Sequence, residues 1–167
     1  MTFRSISSAV SRAAARGRSA PPAVVPADFS VSTARMSYEL GVSIRQLQTW
    51  DELKLVTPVM YGHARHYGPQ QIVEVAAVAA FRAKGVSLKA IRPVLAAIKK
   101  CLDYEVLIEG YDVYIAVDRG GRNVIVSCEI GEIGRAAVDA AGPVMAVKIG
   151  PEVRLLFAGV KKDWVQR

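Results

Sequence analysis

The sequence predicts a mainly α-helical, winged helix-turn-helix unit followed by a small α+β unit of ββαββ order. Three observations carry this. Helix-capping signals crowd together between Ser32 and Lys54 around a glycine turn. Apolar residues recur every three or four positions between Pro69 and Leu102. After Asp103 the texture changes to short alternating segments separated by glycine-rich turns.

Residues 1–28 combine Arg4, Arg12, Arg16 and Arg18 with many Ser and Ala and end in the Pro-rich stretch Pro21 to Pro26, which reads as a disordered basic arm. Such an arm suits phosphate contact, an inert tail or an organellar transit peptide. Ser32 is placed to cap a short helix that runs to Leu40 and closes at Gly41. Ser43 and Gln46 stand at capping-box spacing and open a second helix from Ile44 to about Lys54. Leu55 to Tyr67 contains Pro58, Gly62 and several aromatic and basic residues, which suits a pair of short strands, the wing. Pro69 fits the first turn of a third helix, Gln70 to Lys84, which is apolar on most faces and so must be covered. Ser87 caps a fourth helix with the stripe Leu88, Ile91, Leu95, Ile98 and Leu102, and Pro93 inside it is expected to bend it.

Beyond Asp103, residues Tyr111 to Asp118 and Asn123 to Glu129 flank Gly120-Gly121 as a hairpin, and a helix from about Gly131 to Ala141 follows. Val144 to Ile149 and Val153 to Ala158 read as two further strands around Gly150-Pro151. The domain boundaries expected are therefore an arm at 1–28, a winged helix-turn-helix at 29–102, and an α+β dimerisation, partner or effector domain at 103–167.

Charge separates the same two regions. Residues 1–102 carry 14 Lys and Arg against 5 Asp and Glu, a net of +9, whereas residues 103–167 carry 8 against 10, a net of −2. A polyanion, foremost nucleic acid, is the partner such an asymmetry suggests for the first region. The longest apolar runs, such as Val75 to Phe81, fall far short of the roughly 18 to 20 residues that a membrane span needs. Cys101 and Cys128 lack CxxC spacing, so neither a disulfide framework nor a zinc knuckle is indicated, and a cytoplasmic, nucleoid-associated location is expected.

The order of helix, Gly41-Val42-Ser43 turn, capped helix with Arg45 and Leu47, Trp50-Asp51, Leu55, Pro58, Arg65-His66-Tyr67 and Gly85-Val86-Ser87-Leu88 resembles the MerR family of winged-helix transcription regulators over residues 31–100. The resemblance implies that the second helix lies in the major groove of double-stranded DNA. Ser43, Arg45, Gln46, Gln48 and Thr49 would then face it, with amide and guanidinium groups suited to base edges and phosphates. It also implies a wing contact through Arg65, with His66 and Tyr67 beside it, and a phosphate contact through Arg82. Leu47, Trp50, Leu53 and Leu55 have the spacing of core residues instead. Gln48 stands where the family often has arginine, and Lys54 where glycine is common before the wing.

His63 and His66 lack acidic or cysteine partners for a metal site. The family's metal sensors carry cysteines around a long dimerisation helix, whereas Cys101 is isolated here and that helix is missing. No metal, cofactor or catalytic residue is therefore expected. No nucleophile-base pair, phosphate loop or carboxylate dyad is evident after residue 103, and Gly131 to Gly134 is read as a helix start. The expected function is a sequence-specific DNA-binding transcription regulator that is not an enzyme. It would form a homo-oligomer through residues 103–167, with RNA polymerase or another protein as a candidate partner. Two alternatives are an excisionase-type factor that bends DNA in recombination and a ligand-sensing switch, whose sign would be an apolar pocket between the C-terminal sheet and its helix.

Overall fold

The computed structural model describes residues 29–102, 107, 110–140 and 142–164, so the basic arm at 1–28 and residues 103–106 at the expected boundary lie outside the described residues. Local capping sets the first elements. Val31–Ser32 forms a two-residue strand β1, and Ser32 then accepts the backbone N–H of Arg35 to open helix α1, Thr33–Leu40. Gly41 ends α1 at φ +62°, a conformation that needs no Cβ. Ser43 starts α2, Ile44–Glu52, and strands β2, Val59–Tyr61, and β3, Ala64–Tyr67, form the wing hairpin. Strand β1 adds to its other side in the order β1-β3-β2, with Val31 opposite Tyr67, an edge too short to read from the sequence.

Pro69 opens α3, Pro69–Ala83, where its missing N–H is no loss, and the run Ile72 to Val78 is buried throughout. Ser87 caps α4, Leu88–Cys101, which continues through Pro93. A second three-stranded sheet has the order β5-β4-β6, built from β4, Val113–Asp118, β5, Val124–Ser127, and β6, Val144–Ile149, all antiparallel. Helix α5, Ile130–Asp139, connects β5 to β6.

The last expected strand is not one. Val153 to Ala158 lies within α6, Pro151–Trp164, so the order of the C-terminal half is ββαβα and not ββαββ. Gly150-Pro151, expected as a strand turn, is a helix start: Pro151 fills the first helical position and Arg154 donates its N–H to the Gly150 carbonyl at 2.9 Å. Buried Val153, Leu156 and Phe157 are spaced as one helical face, and Leu155 between them is exposed.

That face turns back on the first half. Helix α6 packs on α1 and α3, the rings of Phe157 and Phe29 lie 5.7 Å apart, and Arg35 Nη2 donates to the Leu155 carbonyl at 3.3 Å. Sheet β5-β4-β6 covers α3 and α4 with its own inner face, Val113, Ile115, Val117, Val124, Val126, Val147 and Ile149. One hydrophobic cluster therefore runs from Val31 to Phe157 across the boundary placed at 102/103. No helix among the described residues is long and apolar enough to cross a membrane.

Two local features bear on stability. Glu74, on α3, is only 2% exposed, accepts from Gln70 Nε2 at 3.0 Å and pairs with Lys99 of α4 at 3.7 Å. Burial raises its carboxyl above the ordinary value of 4.5, against the pull of Lys99 and Gln70. A raised acid favours the folded state most below its unfolded pKa, and that contribution is lost as pH rises through the folded pKa. Denaturant titrations across this range should show the loss in the wild type, and Glu74→Gln should remove it and be the more stable protein at neutral pH. Lys54, after α2, is the other feature: it holds φ +53°, the single positive φ at a non-glycine among the described residues. Its ion pair with Asp51 is long, 3.9 Å, and its lysine end is 75% exposed. Lys54→Gly should therefore stabilise the fold by about 1 kcal/mol, read as a higher melting temperature.

Candidate nucleic-acid interface

The turn between α1 and α2 is fixed by short-range bonds. Ser43 Oγ accepts the Gln46 N–H at 3.2 Å while Gln46 Oε1 accepts the Ser43 N–H at 3.0 Å and its hydroxyl at 2.9 Å, a complete capping box. Leu47 and Trp50 bury one stripe of α2. The opposite side presents Arg45 and Gln46, exposed, with Gln48 and Thr49 half-buried. These five predicted residues are brought together, but their polar atoms are not equally free. Ser43 and the Gln46 carbonyl are held in the cap, and Thr49 donates its hydroxyl back to the Arg45 carbonyl at 3.0 Å. The Arg45 guanidinium, the Gln46 NH₂ and the Gln48 amide are what the surface offers, all suited to the base edges of a groove.

The wing is tied to the end of this helix. Arg65 of β3 donates from Nε to Asp51 Oδ2 at 3.2 Å, with Arg65 still 36% exposed and Asp51 17%. The pair orients the arginine and offsets the charge of the carboxylate. His66 contacts Ser30 Oγ through Nδ1 at 3.2 Å and stands edge-on to Tyr61 at 5.1 Å, so it belongs to the wing's own structure and is half-buried. Gly62 turns the hairpin at φ +61°, and Val59, Met60 and Tyr61 of β2 are exposed apolar residues on it.

Tyr67 does not belong to the surface. It is 1% exposed, opposite Val31 in the sheet, and burial raises its phenol pKa, so it serves the core and cannot reach a nucleic acid in this fold. Its place directly after Arg65 and His66 made it look like a wing contact, whereas the β1 pairing turns it inward. Arg82, in the last turn of α3, donates from Nη1 to the Val86 carbonyl at 3.0 Å and so braces the α3–α4 turn while its residue stays exposed.

Arg92 was not singled out by sequence reasoning. From α4 it donates Nη2 to the carbonyl of Leu53, the C-cap of α2, at 2.7 Å, and thereby fixes the far end of α2 as the capping box fixes its start. Nothing local marks this role, since the two residues are 39 positions apart. Asp51 enters the sequence reading only beside Trp50 in the family order, and its part in anchoring the wing through Arg65 is equally a long-range feature.

Residues 31–98 match the family model described as MerR HTH family regulatory protein, over the segment that holds α1, α2, the wing, α3 and most of α4. No curated protein matches the chain.

Proposed function

We propose that this MerR-type segment makes the protein a sequence-specific, double-stranded DNA-binding transcription regulator that acts by binding and carries out no catalysis. The observation that supports it most is the state of α2. The helix is pinned at its start by the Ser43–Gln46 box and at its end by Arg92, and it presents Arg45 with no ion partner among the described residues. A rigid helix with a free guanidinium and two amides suits base readout in the major groove. Arg65 and His66 on the wing, and Arg82 at the α3–α4 turn, would lie on the phosphate backbone and set the register. A protein of this kind would reside in the cytoplasm on the nucleoid.

Self-association through residues 103–167 is part of the same reading, because palindromic sites are read by paired helix-turn-helix units. In sheet β5-β4-β6 the outer strands β5 and β6 each have one neighbour among the described residues, and Val138 on α5 is 84% exposed. The test is selection of duplex fragments from genomic DNA followed by footprinting, with the protein's mass measured in solution. A discrete protected stretch with a dimeric protein is expected. Uniform protection of all fragments, or preference for single strands, would remove the reading.

A further inference from the structure

The outer face of sheet β5-β4-β6 is only partly covered. Alternation along β4 sends Val113, Ile115 and Val117 to the shared core, and Tyr114, Ala116 and Asp118 to the other side, where α5 lies against β4 and β5. Ile133 of α5 fills the gap at one level. At the next levels Ala136 of α5 and Ala140, just past its end, line the space, and across from them lie Ala116, Ile125 and Val144 of the sheet. These side chains are too small to close the space, and a recess of about 280 Å³ is left between helix and sheet.

The mouth of this recess has a different character. The β4–β5 turn places Arg119, Arg122 and Asn123 along it, the two arginines exposed and without an ion pair among the described residues. Asp118, the acid among the described lining residues, has its carboxylate committed. Its Oδ1 accepts the Arg122 N–H at 2.8 Å, and its Oδ2 accepts the Asn123 N–H at 3.2 Å and Asn123 Nδ2 at 2.8 Å. The rim therefore carries two free guanidiniums over an apolar floor. The turn is also held in place from behind. Gly121, at φ +68°, sits so close to α4 that a Cβ there would stand 3.2 Å from the Ala90 carbonyl oxygen and 3.5 Å from the Pro93 ring.

We infer that the recess between α5 and the outer face of sheet β5-β4-β6 is a binding site for a small organic carboxylate, with the apolar body on the alanine floor and the carboxylate between Arg119 and Arg122. A planar guanidinium matches a carboxylate in geometry and charge, and two of them over an apolar pocket select an amphiphilic anion over either a neutral body or a bare ion. The volume, just below the range of about 300–1,000 Å³ found for drug-sized ligands, limits the body to a small one. This inference goes beyond DNA binding and does not depend on it.

Calorimetric titration of the full chain tests it, with phenylacetate and hexanoate as flat and linear probes, phenylacetamide as the neutral control and inorganic phosphate as the anion without a body. Saturable one-to-one binding of at least one carboxylate is expected, with both controls weaker by about tenfold or more. Ala136→Leu fills the recess and should abolish binding. Replacing Arg119 and Arg122 together by glutamine leaves the floor intact, disturbs no buried side chain and should weaken binding by about tenfold. Failure of both carboxylates to bind, phosphate binding as tightly as they do, or unchanged affinity in the arginine variant would each overturn the assignment.

Discussion

Trp50→Ala is expected to abolish DNA binding through the loss of the fold. Trp50 is 4% exposed on the buried stripe of α2, and its carbonyl accepts the N–H groups of both Leu55 and Val56, so the indole sits where α2 hands over to the wing. Removing a buried aromatic of this size typically costs about 3–5 kcal/mol, as transfer energy and as the cavity left behind. A small domain holds roughly 5–15 kcal/mol in total, so the variant should melt far below the wild type or be unfolded at 37 °C. Circular dichroism on heating reads this directly, and a retained melting temperature would mean that the indole contributes no core packing.

Ending the chain after Gly150 should be as damaging. The deletion removes Val153, Leu156 and Phe157, which are 0%, 0% and 2% exposed, and uncovers the faces of α1 and α3 against which α6 packs. At about 1.5–3 kcal/mol for each fully buried apolar side chain, the loss is on the order of 5 kcal/mol or more. The helix-turn-helix segment is thus expected to depend on a helix far outside it. Hydrogen exchange of the α1 and α3 amides in the shortened protein checks this, and wild-type protection would show that α6 is an independent appendage.

The parts of the fold legible in the sequence are those set by short-range chemistry. Ser32, Gly41, the Ser43–Gln46 box, Pro69 and Ser87 each act within four residues of their own position, and every one of them marks the helix end it was expected to mark. Helix α6 was misread because Gly150-Pro151 signals a turn as well as a helix start, and Val153-Arg154-Leu155-Leu156-Phe157 holds enough apolar residues to satisfy either period. Only the packing of α6 on α1 and α3 decides between them.

The candidate site divides the same way. Arg45, Gln46, Gln48 and Thr49 were assigned to the open side of α2 by the family resemblance, and helical spacing supplied the buried side, Leu47 and Trp50. The clamp of Arg92 on Leu53, the Arg65–Asp51 pair and the inward turn of Tyr67 all join residues distant in sequence, where no local pattern records the contact. The recess beside α5 was legible only as a place to look, since its volume comes from alanines on two elements that meet in space.

Arg45 is the simplest probe of base reading by the exposed side of α2, because it is exposed and without a side-chain partner among the described residues. Wild type and Arg45→Ala would be titrated against the footprinted duplex and a scrambled duplex of equal length at one salt concentration. A loss of about 1–3 kcal/mol is expected on the footprinted site, with a much smaller change on the scrambled one and an unchanged melting temperature. Identical isotherms for the two proteins on the footprinted site would contradict it.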